Sequence, residues 1–76
     1  MSEIDEMKND MVKDLTVLLM EKNKSLSMEQ ALSLVFNSDT YQKLLDDKTR
    51  LYYQSPRYVF SYLENELETG KMAWEL

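Results

Sequence analysis

Three sets of residues in this 76-residue chain are of types that could do chemistry. Asp46 and Asp47 stand side by side, and Glu64, Glu66 and Glu68 alternate. Five tyrosines (Tyr41, Tyr52, Tyr53, Tyr58 and Tyr62) are crowded into the stretch from Ser38 to Leu63, where Arg50 and Arg57 accompany them. Paired carboxylates can exchange protons with a substrate or hold a hard cation. Neighbouring residues on a helix point in different directions, however, and no D-x-D-x-D-G spacing surrounds Asp46-Asp47. That pair reads as the solvated end of a helix. Glu64 and Glu68 lie one turn apart and repel mildly, the ordinary pattern of a solvated face. The tyrosines carry the stronger signal. Each offers a large apolar body with a hydroxyl that reaches water, which suits the edge of a small core. Tyrosine is also enriched at interface hot spots, where it buries much area at little entropic cost. The favoured reading places most of the set at the core or its edge; the competing one has at least two of them lining a partner surface. Tyr52, Tyr53, Tyr58 and Tyr62, with Arg50 and Arg57, are the candidate partner-binding residues. The arginines are of the right type to anchor an acidic or phosphate group.

Composition narrows the chemistry further. The chain contains no histidine and no cysteine. It has no side chain whose unperturbed pKa lies near neutrality, no thiolate nucleophile and no natural zinc ligand set. Carboxylates, lysines, tyrosines and hydroxyls remain, and each would need strong tuning by burial. The expectation is a protein without catalytic residues, cofactor or metal. The net charge is −5 and is spread along the chain. Nucleic-acid binders usually show a basic patch, and none is visible in the linear sequence. An acidic protein of this kind suits a protein partner with a basic surface, bound less tightly as salt rises. The N-terminal stretch MSEIDEMKND is acidic where an export signal would be basic, and no apolar run approaches the ~20 residues of a membrane span. A cytoplasmic location is expected.

These residues must be positioned by helices. Ser2 can cap a first helix over roughly 2–23, with Glu3, Asp5 and Glu6 in its first turn and an apolar stripe at Ile4, Met7, Met11, Leu15 and Leu18. Val12, Leu19 and Met20 widen that stripe, and the first two turns, poorer in apolar anchors, are expected to fray before about Met7. The methionines read as core filler or as an adaptable binding face. Ser27 with Gln30 fits a capping box for a helix over 28–36, with Met28, Ala31, Leu32, Val35 and Phe36 on one face. Ser38 caps a third, short helix over 39–46 that turns Tyr41, Leu44 and Leu45 inward and stops at Asp46. Leu51, Tyr52 and Tyr53 follow, too apolar for a free loop, so at least two should be tucked in. Ser55-Pro56 starts a fourth helix over 56–69 that runs through Tyr58, Val59, Tyr62, Leu63 and Leu67, with an acidic outer face and Gly70 as its end. No hairpin signal or run of strict alternation supports a strand. The fold class is all-α: a single small helical domain over 1–76, about four helices, with 71–76 a docking or flexible tail. Trp74 in that tail is costly to leave exposed. A core this small would gain from self-association.

The pattern Ala31-Leu32, Phe36, Ser38, Thr40-Tyr41, Leu44, Asp46, Thr49, Leu51-Tyr52, Ser55 and Tyr58-Val59 resembles a family of short bacterial all-α proteins to which no activity is assigned. The resemblance covers about thirty residues and does not reach the first helix. Arg50 departs from it, standing where the family usually has glycine. If that glycine adopts a left-handed turn, arginine must accept strain there or change the turn. Some members of the family are encoded beside larger proteins that look like toxin-type ADP-ribosyltransferases. The resemblance therefore implies an antitoxin-like or accessory-partner role, without catalytic residues to carry over. The alternative reading is a small DNA-binding regulator. Helices two and three, joined near Asn37-Ser38, invite a helix-turn-helix comparison, but the third helix offers only Gln42 and Lys43 to DNA, and Asp39 would oppose phosphates.

Overall fold

The computed structural model describes residues 2–69. Four helices, α1 (Glu3–Lys22), α2 (Met28–Phe36), α3 (Asp39–Leu45) and α4 (Pro56–Thr69), make a small bundle, and no strand occurs among the described residues. Two single 3-10 turns, Asp47–Thr49 and Leu51–Tyr53, join α3 to α4. The expected all-α class is observed; α2 and α4 have the expected bounds, α1 is one residue shorter at each end because Ser2 and Asn23 are its caps, and α3 is one residue shorter because Asp46 is its C-terminal cap. Gly70 as a helix end, the tail and the docking of Trp74 lie outside the described residues.

Each helix start has a local chemical cause. The first N–H groups of a helix have no partner within it, and a serine hydroxyl at the N-cap accepts one of them. Ser2 accepts from the Asp5 amide, Ser27 from Gln30, Ser38 from Tyr41 and Ser55 from Tyr58. At α2 the box is complete, since the Gln30 side chain accepts the Ser27 amide at 2.9 Å. Helix α1 is continuous from Glu3, so no break appears near Met7, and Ile4 and Met7 half-bury against the core.

α1 lies against α2, α4, α3 and the second 3-10 turn, while α3 and α4 pack on one another. Leu15, Ala31, Val35, Leu44, Val59 and Leu63 have no exposed surface and form the centre. The buried stripe of α1 runs Met11, Val12, Leu15, Thr16 and Leu19, turned slightly from the stripe predicted through Ile4, Met7 and Leu18. Thr16 enters it because its hydroxyl donates to the Val12 carbonyl at 2.8 Å and so brings no unmet polar group inside. Met11 is core; Met28, expected there, is 62% exposed.

The other departures share one reason: a short bundle covers only a narrow strip of each helix. On α2 only Ala31 and Val35, one turn apart, are fully inside, and Phe36 is turned out at the far end, edge-on to Tyr41 with ring centroids 5.1 Å apart. On α3, Thr40 takes the inner place expected of Leu45, which is exposed. On α4 the buried set is Val59, Phe60 and Leu63; Tyr58 and Leu67 are exposed.

Leu51 and Tyr52 are tucked in and Tyr53 points out, as the apolar run requires. Arg50, between the two turns, has φ 53° and ψ 28°, the left-handed region. Arginine thus adopts the left-handed conformation and accepts the strain. A β-carbon there costs roughly 1 kcal/mol, partly offset by glycine's greater freedom in the unfolded chain. Arg50→Gly is expected to raise the stability by about 0.5 kcal/mol, read as a higher denaturant midpoint with an unchanged slope.

Candidate functional cleft

The segment between α3 and α4 is pinned from both ends. The Thr49 hydroxyl donates to the carbonyls of Lys43 (2.6 Å) and Asp46 (2.9 Å) and accepts the Leu51 amide. This one side chain ties the first 3-10 turn back onto the last turn of α3. Asp46, the helix stop, accepts the Lys48 amide at 3.0 Å. From α1, the Lys8 ammonium donates to the Leu45 carbonyl at 3.0 Å and to the Asp47 carboxylate, and lies 5.7 Å from the centre of the Tyr52 ring. The hydrogen bond to Asp47 holds the Lys8 ammonium above the ordinary lysine range. Asp46-Asp47 is therefore a structural pair: one carboxylate caps a turn and the other is neutralised by α1.

With this segment fixed, a cleft of about 350 Å³ opens between α3 and α4, lined by Lys43, Thr49, Leu51, Gln54, Tyr58 and Tyr62. Tyr58 and Tyr62 sit one helical turn apart, and their rings meet edge to face with centroids 5.2 Å apart. Their hydroxyls hydrogen-bond each other at 2.8 Å. Tyr58 is 47% exposed and Tyr62 half-buried.

That hydroxyl pair pushes the Tyr62 phenol up from the ordinary tyrosine value, with burial adding a smaller push in the same direction. A tyrosine raised in this way is a weaker acid, with less phenolate present near neutral pH. The folded protein holds the Tyr62 proton more tightly than the unfolded chain. The stabilisation that follows is complete below the ordinary value of about 10 and is lost as pH rises through the higher folded value. Tyr58→Phe removes the partner hydroxyl and is expected to bring the Tyr62 titration down toward the ordinary value, measured by phenolate absorbance.

The six candidate residues read from the sequence do not form one site. Tyr58 and Tyr62 come together on the cleft. Tyr52 is in the core, 7% exposed, so it serves packing. Tyr53 is 61% exposed and leans on Tyr52, ring centroids 4.7 Å apart and tilted by 42°. Arg50 is exposed on its turn. Arg57 is directed away from the cleft, into a groove with Asp14, Val17, Leu18, Ser55 and Pro56 on the α1 side. Sequence reasoning missed Lys43, Thr49, Leu51 and Gln54 as parts of one surface, because they converge only once the chain has turned twice. Thr49 stood in the family pattern, and that was the only signal for it.

Of the supposed acidic outer face of α4, only Glu68 fits the description. Glu64 is half-buried and pairs with Lys22. Glu66 reaches the N-terminus of α3, where its carboxylate accepts the Asp39 amide (2.7 Å), the Thr40 amide (2.9 Å) and the Thr40 hydroxyl (2.8 Å). No group of three or more metal-ligating side chains gathers among the described residues, and no helix there is long and apolar enough to cross a membrane. Compared with known proteins, the chain matches no family model, no curated sequence and no solved structure.

Proposed function

We propose that this protein is a non-catalytic protein–protein interaction module that presents the α3–α4 cleft to a partner. The observation that carries the reading is the Tyr58–Tyr62 pair: two aromatic rings held in fixed geometry by contact and hydrogen bond, one of them half out of the core. The buried set of α4 is Val59, Phe60 and Leu63, so the core does not account for Tyr58. Prepositioned aromatic area of this kind loses little entropy on binding. The family resemblance adds the kind of partner, a larger toxin-type enzyme to which this chain would be an antitoxin-like or accessory subunit.

The DNA-binding reading is less favoured. A recognition helix offers its N-terminal residues to the bases and its flanks to phosphates, whereas the first turn of α3 is occupied by the Glu66 carboxylate.

Affinity capture from the native host at physiological salt tests the proposal, with Tyr58→Ala as the comparison and circular dichroism as the check on folding. A partner retained by the native chain and released by Tyr58→Ala is the expected result. Equal retention by both, or no partner at all, overturns it.

A further inference from the structure

The charge around the cleft differs from that of the chain as a whole. Residues 42–62 carry four basic side chains (Lys43, Lys48, Arg50 and Arg57, the last turned away from the cleft) against two acidic ones, a balance of +2, or +1 without Arg57, in a chain of net −5. Both of those acids have local partners: Lys8 from α1 neutralises Asp47, and Asp46 accepts the Lys48 amide. The cleft itself is lined by one cation, Lys43, and by no carboxylate. Lys43 is half-buried and belongs to neither ion pair found among the described residues. Beside it stand the Gln54 amide and the two phenol hydroxyls as hydrogen-bonding groups, with Leu51 as an apolar contact. An ammonium on a partly desolvated wall, with neutral polar groups beside it and no carboxylate among the cleft-lining residues, is suited to an anionic oxygen.

We infer that the α3–α4 cleft receives a carboxylate side chain from a short acidic segment of the partner protein, with the Lys43 ammonium as its counter-ion and Leu51 and the tyrosine rings against the neighbouring apolar residue. This rests on the reading of the cleft as a partner surface and names what that surface recognises. The acidic total charge, which by itself points to a basic partner, lies outside this stretch. A nucleic acid is the poorer occupant. A duplex presents one negative charge per ~1.7 Å of axis, and its next phosphates would meet a remainder of the chain whose balance is strongly negative, while the cleft offers a single ammonium. A single short acidic segment avoids that repulsion.

The test is an amide chemical-shift titration of the isotope-labelled chain with three probes of similar length: a blocked glutamate–leucine peptide, a lysine–leucine peptide and a single-stranded oligonucleotide. The acidic peptide is expected to shift Lys43, Gln54 and Tyr58, with binding that weakens as salt rises. Lys43→Glu should reduce it by roughly tenfold or more, with Lys43→Gln between. Both variants are first checked for native helicity. A response at these residues to the lysine peptide or the oligonucleotide overturns the assignment, as does a flat response to all three. The capture experiment distinguishes partner binding at the cleft from recognition of a carboxylate there. If Tyr58→Ala releases the partner and Lys43→Glu does not, the interaction reading stands and the carboxylate assignment falls. If neither variant releases it, the interaction reading falls.

Discussion

Leu63→Ala is expected to lower the stability by about 3 kcal/mol, the middle of the range for truncating a fully buried leucine. Leu63 has no exposed surface and belongs to the layer where α4 meets α1 and α3. The loss has two parts: the transfer free energy of the removed methyl groups, and a cavity that neighbouring helices can only partly close. A domain of this size holds roughly 4–11 kcal/mol in all, so the variant gives up a large share of it. The melting temperature should fall by about 12–24 °C, at ~4–8 °C per kcal/mol for a chain this short. Thermal circular dichroism reads the shift directly. Leu67→Ala, one residue past Glu66 on the same helix and 43% exposed, is the comparison and should stay within about 0.5 kcal/mol of the native protein. A Leu63 variant that melts like the native chain would mean that α4 does not pack by the face described.

Glu66→Ala is expected to cost about 2 to 3 kcal/mol, far more than an acid on a solvated helix face. Its carboxylate supplies what the first turn of α3 lacks. Glu66 accepts the Asp39 and Thr40 amides and the Thr40 hydroxyl, while Ser38 accepts the Tyr41 amide. The leading donors of α3 are thus met by one local residue and one from 26 or 27 positions away in sequence. Negative charge at this end of a helix also gains from the dipole. Removing the carboxylate leaves two backbone donors without this acceptor and withdraws an acceptor from Thr40, which has no exposed surface; losing hydrogen bonds to a charged group costs roughly 1.5–3 kcal/mol. Chemical denaturation measures the loss. Combining Glu66→Ala with Thr40→Val should cost less than the two changes added, since the partners share one interaction. Glu68→Ala, on the exposed neighbouring turn, should be nearly neutral. Because Glu66 fixes where α3 sits against α4, its loss should also broaden the amide signals of cleft residues such as Lys43 and Tyr58.

These two residues mark where sequence reasoning succeeds and where it stops. Leu63 could be placed inside because it falls on a helical stripe, and the same periodicity found Leu15, Ala31, Val35, Leu44 and Val59. Glu66 could not be distinguished from Glu64 or Glu68 by any local rule, since its role depends on a helix that begins 27 residues earlier. Leu67, Met28, Phe36 and Leu45 satisfied the same periodicity and are exposed, because a stripe says which way a side chain faces but not whether another helix covers it there. The candidate site was legible only in part. Tyr58 and Tyr62 belong together by spacing alone, one turn apart. Arg57 is adjacent to Tyr58 in sequence, but one residue turns about 100° around a helix, and it lies in the groove on the α1 side.

The chain by itself therefore determined the elements. Serine at four helix starts, glutamine completing one box, proline opening α4 and acids closing α3 are interactions within a few residues, whose free energies do not depend on what lies across the bundle. The tertiary structure decided the functions of the charged and aromatic groups. Lys8 neutralises Asp47, Glu66 caps α3, Tyr52 goes inward, and Lys43 joins Tyr58 and Tyr62 across a cleft because three separate pieces of chain are brought together by burying the leucines and valines between them. Charge pairing and hydrogen bonding over that range act only after the hydrophobic layer has set the distances, so no reading of neighbours along the chain contains them.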